Sequence, residues 1–291
     1  MTLPLVVGVD GSDGSLRAVD WAVDEAVRHG LPLRLVYASL WERYEGALPS
    51  TGPGRPAERV MADNILGSAV ERVRHHDPAL KVSTATVPAE AASALLDEGR
   101  YATAVVTGSR GRGGLKGALL GSVGLAVAAR SSCPVVVVRG DGVALSGSHE
   151  RVLLGAGDPV TSREAVRFAF READARGAEL HVVRAWKRPV YEAADPGAPG
   201  EGTGQQHEER AQAVIDKLVA EAAAEHPDVR LRTAAVEGPA RTVLVDRSAA
   251  ADLVVVGTRR GPGHFGLQLG RVAHTLLQHS ACPVAVVPQM W

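Results

Sequence analysis

Short, continuous apolar runs alternate along this chain with stretches in which apolar residues recur every three or four positions. Leu3 to Val9 is the first run, and it ends in Asp10-Gly11-Ser12-Asp13, a turn followed by helix-capping residues. Leu16, Val19, Val23 and Val27 then keep helical spacing, and Gly30 suits the residue just past a helix end. Further strands are expected over Leu33 to Ala38, Lys81 to Val87, Ala104 to Thr107 and Pro134 to Val138. Helices are expected around Val60 to Val73, Ala91 to Glu98 and Gly117 to Ser131. Unbroken apolar strands are the mark of strands buried on both faces, and strand–helix–strand order gives a doubly wound parallel α/β sheet.

The pattern then repeats. Gly108-Ser109-Arg110-Gly111 returns as Gly257-Thr258-Arg259-Arg260, and Cys133-Pro134-Val135 as Cys282-Pro283-Val284, both at an offset of 149 positions. Nearer each start, Gly8 pairs with Gly155, Trp21 with Phe168, Gly30 with Gly177 and Ala38 with Ala185, at an offset of 147. The chain therefore reads as two homologous domains, 1–140 and 150–291, joined by a polar, Gly-rich linker over 141–149. Strands of the second unit fall at Val152–Leu154, Leu180–Ala185, Leu231–Val236, Leu253–Val256 and Val284–Val287. Trp41 to Ala57 and Trp186 to Gln205 show no period and are expected to be long loops.

Charge and composition then exclude several classes. There are 32 basic and 33 acidic residues, so the electrostatic footprint of a nucleic-acid binder is missing. No apolar stretch reaches the roughly 18 residues of a membrane span, and the first twenty residues lack the basic start of a signal peptide. Two cysteines, Cys133 and Cys282, exclude a disulfide scaffold and a multi-Cys zinc site. A cytoplasmic location is the expectation.

Candidate chemistry lies at the carboxyl ends of the strands. The loop after the fourth strand runs from Gly108 to Ser122 and holds six glycines. Glycines let a ligand approach backbone amides, and a row of amides leading into a helix makes an anion site. The same density also suits a flexible loop whose glycines only permit tight packing. There is no Gly-Lys-Ser/Thr ending and no Gly-x-Gly-x-x-Gly after the first strand, so neither a Walker loop nor a dinucleotide fingerprint is present. His274 and His279, five apart, do not share a helix face and are no metal pair. No nucleophile, base and orienting group stand out together, so binding rather than catalysis is expected.

The spacing Gly108-x2-Gly111-x9-Gly121-Ser122, the opening Val7-Gly8-Val9-Asp10-Gly11-Ser12 and the lead Ser132-Cys133-Pro134-Val135 resemble the universal stress proteins, here in tandem. The resemblance implies a strand order 3-2-1-4-5 in each unit and pairing of the units as a pseudo-dimer, with a homodimer of whole chains and an unidentified protein partner. It implies ATP, with Mg2+ or Mn2+ as its possible companion. Its phosphates would lie on Gly108, Ser109, Arg110, Gly111, Arg112, Gly113, Gly114, Gly121, Ser122 and Val123. Gly8, Val9 and Asp10 would meet the nucleoside, and Val36, Ala38 and Val87 would flank the adenine.

The second unit departs from this pattern. Gly157 replaces Asp10, with Asp158 one step later; Arg260 replaces Gly111 and Arg271 replaces Ser122; Pro262 removes an amide donor. Its weaker candidates are Gly155, Gly257, Arg259, Gly261, Gly263, Gly270 and Arg271. Asp252 opens the second unit's fourth strand where Thr103 opens the first, a difference read as packing.

Overall fold

The computed structural model describes residues 2–40, 57–111, 121–188, 200–258 and 269–289. They form two compact units, Met1–Arg139 and Gly140–Trp291.

In unit 1, β1 (Leu5–Gly8) leads into α1 (Asp13–His29), β2 (Leu33–Ala38), α2 (Ala57–His76), β3 (Val82–Val87), α3 (Ala91–Glu98), a short 3-10 turn (Gly99–Tyr101), β4 (Ala104–Gly108), α4 (Ser122–Arg130) and β5 (Val135–Val138). All pairings are parallel. β2 lies between β3 and β1, and β4 between β1 and β5, giving the order β3-β2-β1-β4-β5. The direction of travel across the sheet reverses after β3. Right-handed crossovers therefore put α1 and α2 on one face and α3 and α4 on the other. The loop ends flanking that reversal open at the carboxyl ends of β1 and β4.

Sequence sets these elements locally. Ser12 caps α1 by accepting a bond from the Ser15 amide at 3.2 Å. Gly30, at φ 62°, ends the helix; its amide and that of Leu31 close on Val27 and Ala26 carbonyls at 3.2 and 2.8 Å. The core is aliphatic: Val6, Val7, Leu33, Leu35, Val105, Val106 and Val137 are fully buried.

Unit 2 contains α5 (Gly142–Leu145), β6 (Arg151–Gly155), α6 (Pro159–Arg176), β7 (Glu179–Trp186), α7 (Gly200–Glu225), β8 (Leu231–Glu237), α8 (Ala240–Ser248), β9 (Leu253–Thr258), α9 (Arg271–His279) and β10 (Val284–Pro288). Its parallel pairings repeat the same order, β8-β7-β6-β9-β10. Asp252 and Thr103 precede β9 and β4 and bond in different ways. Asp252 is buried and accepts the amides of His149 and Arg151 at 3.0 and 3.1 Å, while Thr103 Oγ1 donates to the Leu3 carbonyl at 2.9 Å.

Two boundaries differ from the sequence reading. Residues 200–205, expected in a loop, open α7. Within its second turn His207 stacks on Trp186 with centroids 5.9 Å apart, and Gln205 Nε2 donates to Glu209 Oε1 one turn on at 3.0 Å. The linker carries α5, capped by Asp141, whose Oδ1 accepts the Ala144 amide at 3.1 Å. The rest of the two expected loops, 41–56 and 189–199, lies outside the described residues. Among the described residues no helix is long and apolar enough to cross a membrane.

Candidate functional site

At the carboxyl edge of unit 1 the chain leaves β1 and turns through Asp10 into α1. Val9 is buried, and its amide donates to the Val36 carbonyl at 2.9 Å. Asp10 is fixed from three sides. Its amide donates to Ser15 Oγ at 3.3 Å, and its Oδ1 accepts both the Ser12 amide at 3.0 Å and Ser12 Oγ at 2.6 Å. Ser12 thus serves two groups, capping α1 and orienting the Asp10 carboxylate.

The loop after β4 crosses directly over this turn, and three glycines make the crossing possible. A Cβ on Gly14 would stand 2.2 Å from the Arg110 carbonyl oxygen. One on Gly108 would stand 2.5 Å from the Gly14 carbonyl group, and one on Gly111 would stand 2.5 Å from Asp10 Oδ2. Such distances are far inside van der Waals contact, so the two loops touch backbone to backbone. The loop is tied down by Ser109, whose amide donates to Val138 at 3.0 Å and whose carbonyl accepts Gly121 N–H at 2.7 Å. Ser109 is buried; Arg110 points its side chain to solvent.

That last bond sets the start of α4 beside Gly111: a Cβ on Gly121 would lie 3.9 Å from the Gly111 nitrogen. Gly121 is the N-cap residue and offers no side-chain acceptor to the first-turn amides. Ser122 opens the helix, exposed, and Val123 follows, half-buried. Two helix N-termini therefore meet at this edge in different states. α1 is capped from within by Ser12, whereas the N-cap residue of α4 is a glycine that makes no side-chain cap bond, and the helix presents the positive end of its dipole.

The residues expected beside a base also share one side of the sheet. Gly8 pairs with Val36, and Ala38 pairs with Val87 two residues further along β2. Side chains alternate along a strand, so all four face the α3 side. There Leu95 of α3 fills the space that Gly8 leaves; a Cβ at Gly8 would meet Leu95 Cδ1 at 2.8 Å. The structure thus brings together Gly8, Val9, Asp10, Val36, Gly108, Ser109, Gly111, Gly121, Ser122 and Val123. Arg112, Gly113 and Gly114 lie outside the described residues.

Unit 2 repeats the frame with different groups. The Gly157 amide donates to Ser162 Oγ at 3.2 Å, the counterpart of the Asp10–Ser15 bond, which confirms the Asp10–Gly157 equivalence. Gly155 faces Leu244 as Gly8 faces Leu95. Gly257 lies in β9, Gly270 is the N-cap of α9 and exposed Arg271 opens that helix. Arg259, Gly261 and Gly263 lie outside the described residues.

Sequence reasoning missed two positions that shape these turns. Gly14 carried a faint signal, a glycine inside the first turn of an otherwise good helix. Arg184 carried a stronger one, a charge in the middle of the apolar strand Leu180 to Trp186. Its Nη1 donates to the carbonyls of Ala156, at 3.3 Å, and Gly157.

Comparison with known proteins agrees with this fold. The sequence model of the Universal stress protein family matches the chain twice, over residues 1–139 and 149–288. "Universal stress protein Rv2005c" of Mycobacterium tuberculosis is 32% identical over 304 residues, covering 98% of this chain and 97% of that protein. The crystal structure of a universal stress protein from Archaeoglobus fulgidus matches with a TM-score of 0.69 at 16% identity, over 99% of this chain and 98% of that one. A second Archaeoglobus fulgidus structure, a universal stress protein in complex with dAMP, matches 46% of this chain and 94% of its own at 25% identity and a TM-score of 0.34. A parallel α/β unit repeated in tandem, with a glycine crossing over the first turn and a matching family signature in each half, places this chain in the universal stress protein family.

Proposed function

We propose that unit 1 binds ATP and that the chain acts as a nucleotide-dependent stress-response regulator in the cytoplasm. The observation that carries this reading is the pairing of an uncapped α4 with the glycine crossing beside Asp10. First-turn amides are donors that phosphate oxygens can accept from, and the dipole favours their charge. The apolar side formed by Val36, Ala38 and Val87 suits a purine face. A divalent ion accompanying the phosphates would be held by Asp10: Mg2+ typically takes one or two carboxylates together with substrate phosphates, and Asp10 is the carboxylate beside the crossing. That ion would neutralise phosphate charge.

The function is binding rather than turnover. Ser12 occupies one oxygen of Asp10 with two donors, which holds the carboxylate in one orientation beside the crossing. A protein partner, and a second copy of the chain, would read the nucleotide state.

Isothermal titration of the whole chain with ATP tests this. Binding is expected for the natural sequence. Asp10→Gly and Gly111→Arg, which copy unit 2, should each weaken it at least about tenfold, or about 1.4 kcal/mol. Unchanged affinity in both variants refutes the assignment.

A further inference from the structure

We propose that β3 is a docking edge whose occupant is β3 of a second copy of this chain, paired antiparallel about a two-fold axis at Thr84. This seats the second copy invoked above. It rests on that copy and not on the nucleotide, so the two fail in different experiments.

β3 ends the unit 1 sheet, with β2 on one side and, among the described residues, no strand on the other. Its bonds to β2 begin with Leu33 N–H to the Lys81 carbonyl at 2.8 Å and end with Ser39 N–H to the Val87 carbonyl at 3.0 Å. In a parallel ladder the main-chain groups of alternate residues serve the neighbour. With Leu33 in register with Val82, Ser83, Ala85 and Val87 turn theirs to β2. Val82, Thr84 and Thr86 turn their N–H and C=O groups outward, a template for another strand.

Edge strands are ordinarily guarded by charge, proline or a bulge. β3 has none of these: Val82 to Val87 reads Val-Ser-Thr-Ala-Thr-Val, and its register with β2 runs one-for-one to Ala38 and Val87. The matching edge of unit 2 is guarded. β8 carries Arg232 and Glu237, and Gln212 of α7 donates to Thr233 Oγ1 at 2.9 Å. Thr233 is the counterpart of Thr84 at the 149-residue offset, and Thr84 is exposed. The bare strand also reads nearly the same in both directions, which singles out a second copy as the partner. A two-fold axis at Thr84 sets Thr84 opposite Thr84 of the copy, Val82 opposite its Thr86 and Ser83 opposite its Ala85. The Thr84–Thr84 and Val82–Thr86 pairs are those with outward groups, and each exchanges both of its N–H···O bonds. Threonine opposite threonine is a favourable cross-strand pair, and no like charges face each other. The interface is isologous and closes at two chains.

Sedimentation velocity of the full chain over a dilution series tests this. A reversible step between the 30.4 kDa chain and a species of twice that mass is expected. Thr84→Lys sets two like charges opposite each other at the axis, and Thr84→Glu does so with the other sign. Each variant alone should raise the dissociation constant at least about tenfold. An equimolar mixture of the two should restore dimerisation, because Lys then meets Glu, a rescue that misfolded chains do not give. Thr84→Pro removes an outward N–H and no bond to β2, so it should give a monomer with the natural far-UV spectrum. A natural chain that stays at 30.4 kDa throughout overturns the proposal. So does a dimer that both charge variants leave intact, or a mixture no tighter than its components. A natural chain that stays monomeric yet binds ATP overturns the docking edge and leaves the nucleotide reading standing.

Discussion

Gly111 and Asp10 fit together only because one of them has no side chain: a Cβ at Gly111 would stand 2.5 Å from Asp10 Oδ2. Unit 2 exchanges both at once, with Gly157 in place of Asp10 and Arg260 in place of Gly111. The two positions behave as one steric pair, and Gly111→Ala should show it. In the natural background this substitution should destabilise the protein, while beside Asp10→Gly it should cost far less. Denaturant titrations of the two singles and the double should give a coupling of about 0.5–3 kcal/mol. Additive losses would mean that Gly111 answers to backbone conformation instead.

Gly14 sits in the first turn of α1, where alanine is ordinarily the better residue by about 1 kcal/mol. Here the sign should invert. The added methyl would lie 2.2 Å from the Arg110 carbonyl oxygen, a backbone atom that cannot swing aside. Gly14→Ala should lose about 1–3 kcal/mol, typical of overpacking, in urea unfolding. ATP affinity should fall with it, because the crossing loop has to lift.

Ser12→Ala should do two separable things. Loss of the α1 cap should cost about 1 kcal/mol of stability. Loss of the hydroxyl donor to Oδ1 should also loosen the Asp10 carboxylate, which keeps only the Ser12 amide on that oxygen. Asn retains the capping acceptor, so Ser12→Asn should recover most of the stability. It should not recover the ATP affinity, since the hydroxyl donor to Asp10 is gone.

Unit 2 should weaken in mild acid. Burial holds the His181 imidazole below its usual titration range, and the hydrogen bond from His181 holds the Glu179 carboxyl below its own. A depressed histidine means that the unfolded chain takes up the proton first, so stability falls as pH drops below the ordinary value near 6.5. The depressed carboxyl adds a further loss at lower pH, once it begins to protonate. Thermal unfolding between about pH 7 and pH 5.5 should show a falling midpoint, and His181→Phe should flatten that dependence. An unchanged slope in the variant would assign it to other groups.

Much of the architecture was legible because it rests on repeated local signals. The apolar runs from Leu33, Ala104 and Val284, the cap at Ser12 and the stop at Gly30 each specify an element with little help from distant residues. The close crossing at Gly108 and Gly111 was legible from glycine spacing in the same way. What escaped depends on residues far apart in sequence. That Gly14 must be glycine follows from Arg110, which lies across the fold. The early start of α7 runs against the poor helix propensity of its glycines, and His207 of that helix meets Trp186 of β7, 21 positions earlier. The bond from Arg184 to the Gly157 carbonyl joins residues 27 positions apart.

The central claim is that the open first turn of α4 receives the phosphates of ATP. Backbone amide NMR of the isotopically labelled chain, titrated with ATP, observes those donors one by one. The account predicts that the amides of Gly111, Ser122 and Val123 shift most, and that those of Ser12 to Ser15, already capped from within, move little. Saturable binding that leaves the α4 amides in place while shifts gather elsewhere would contradict it.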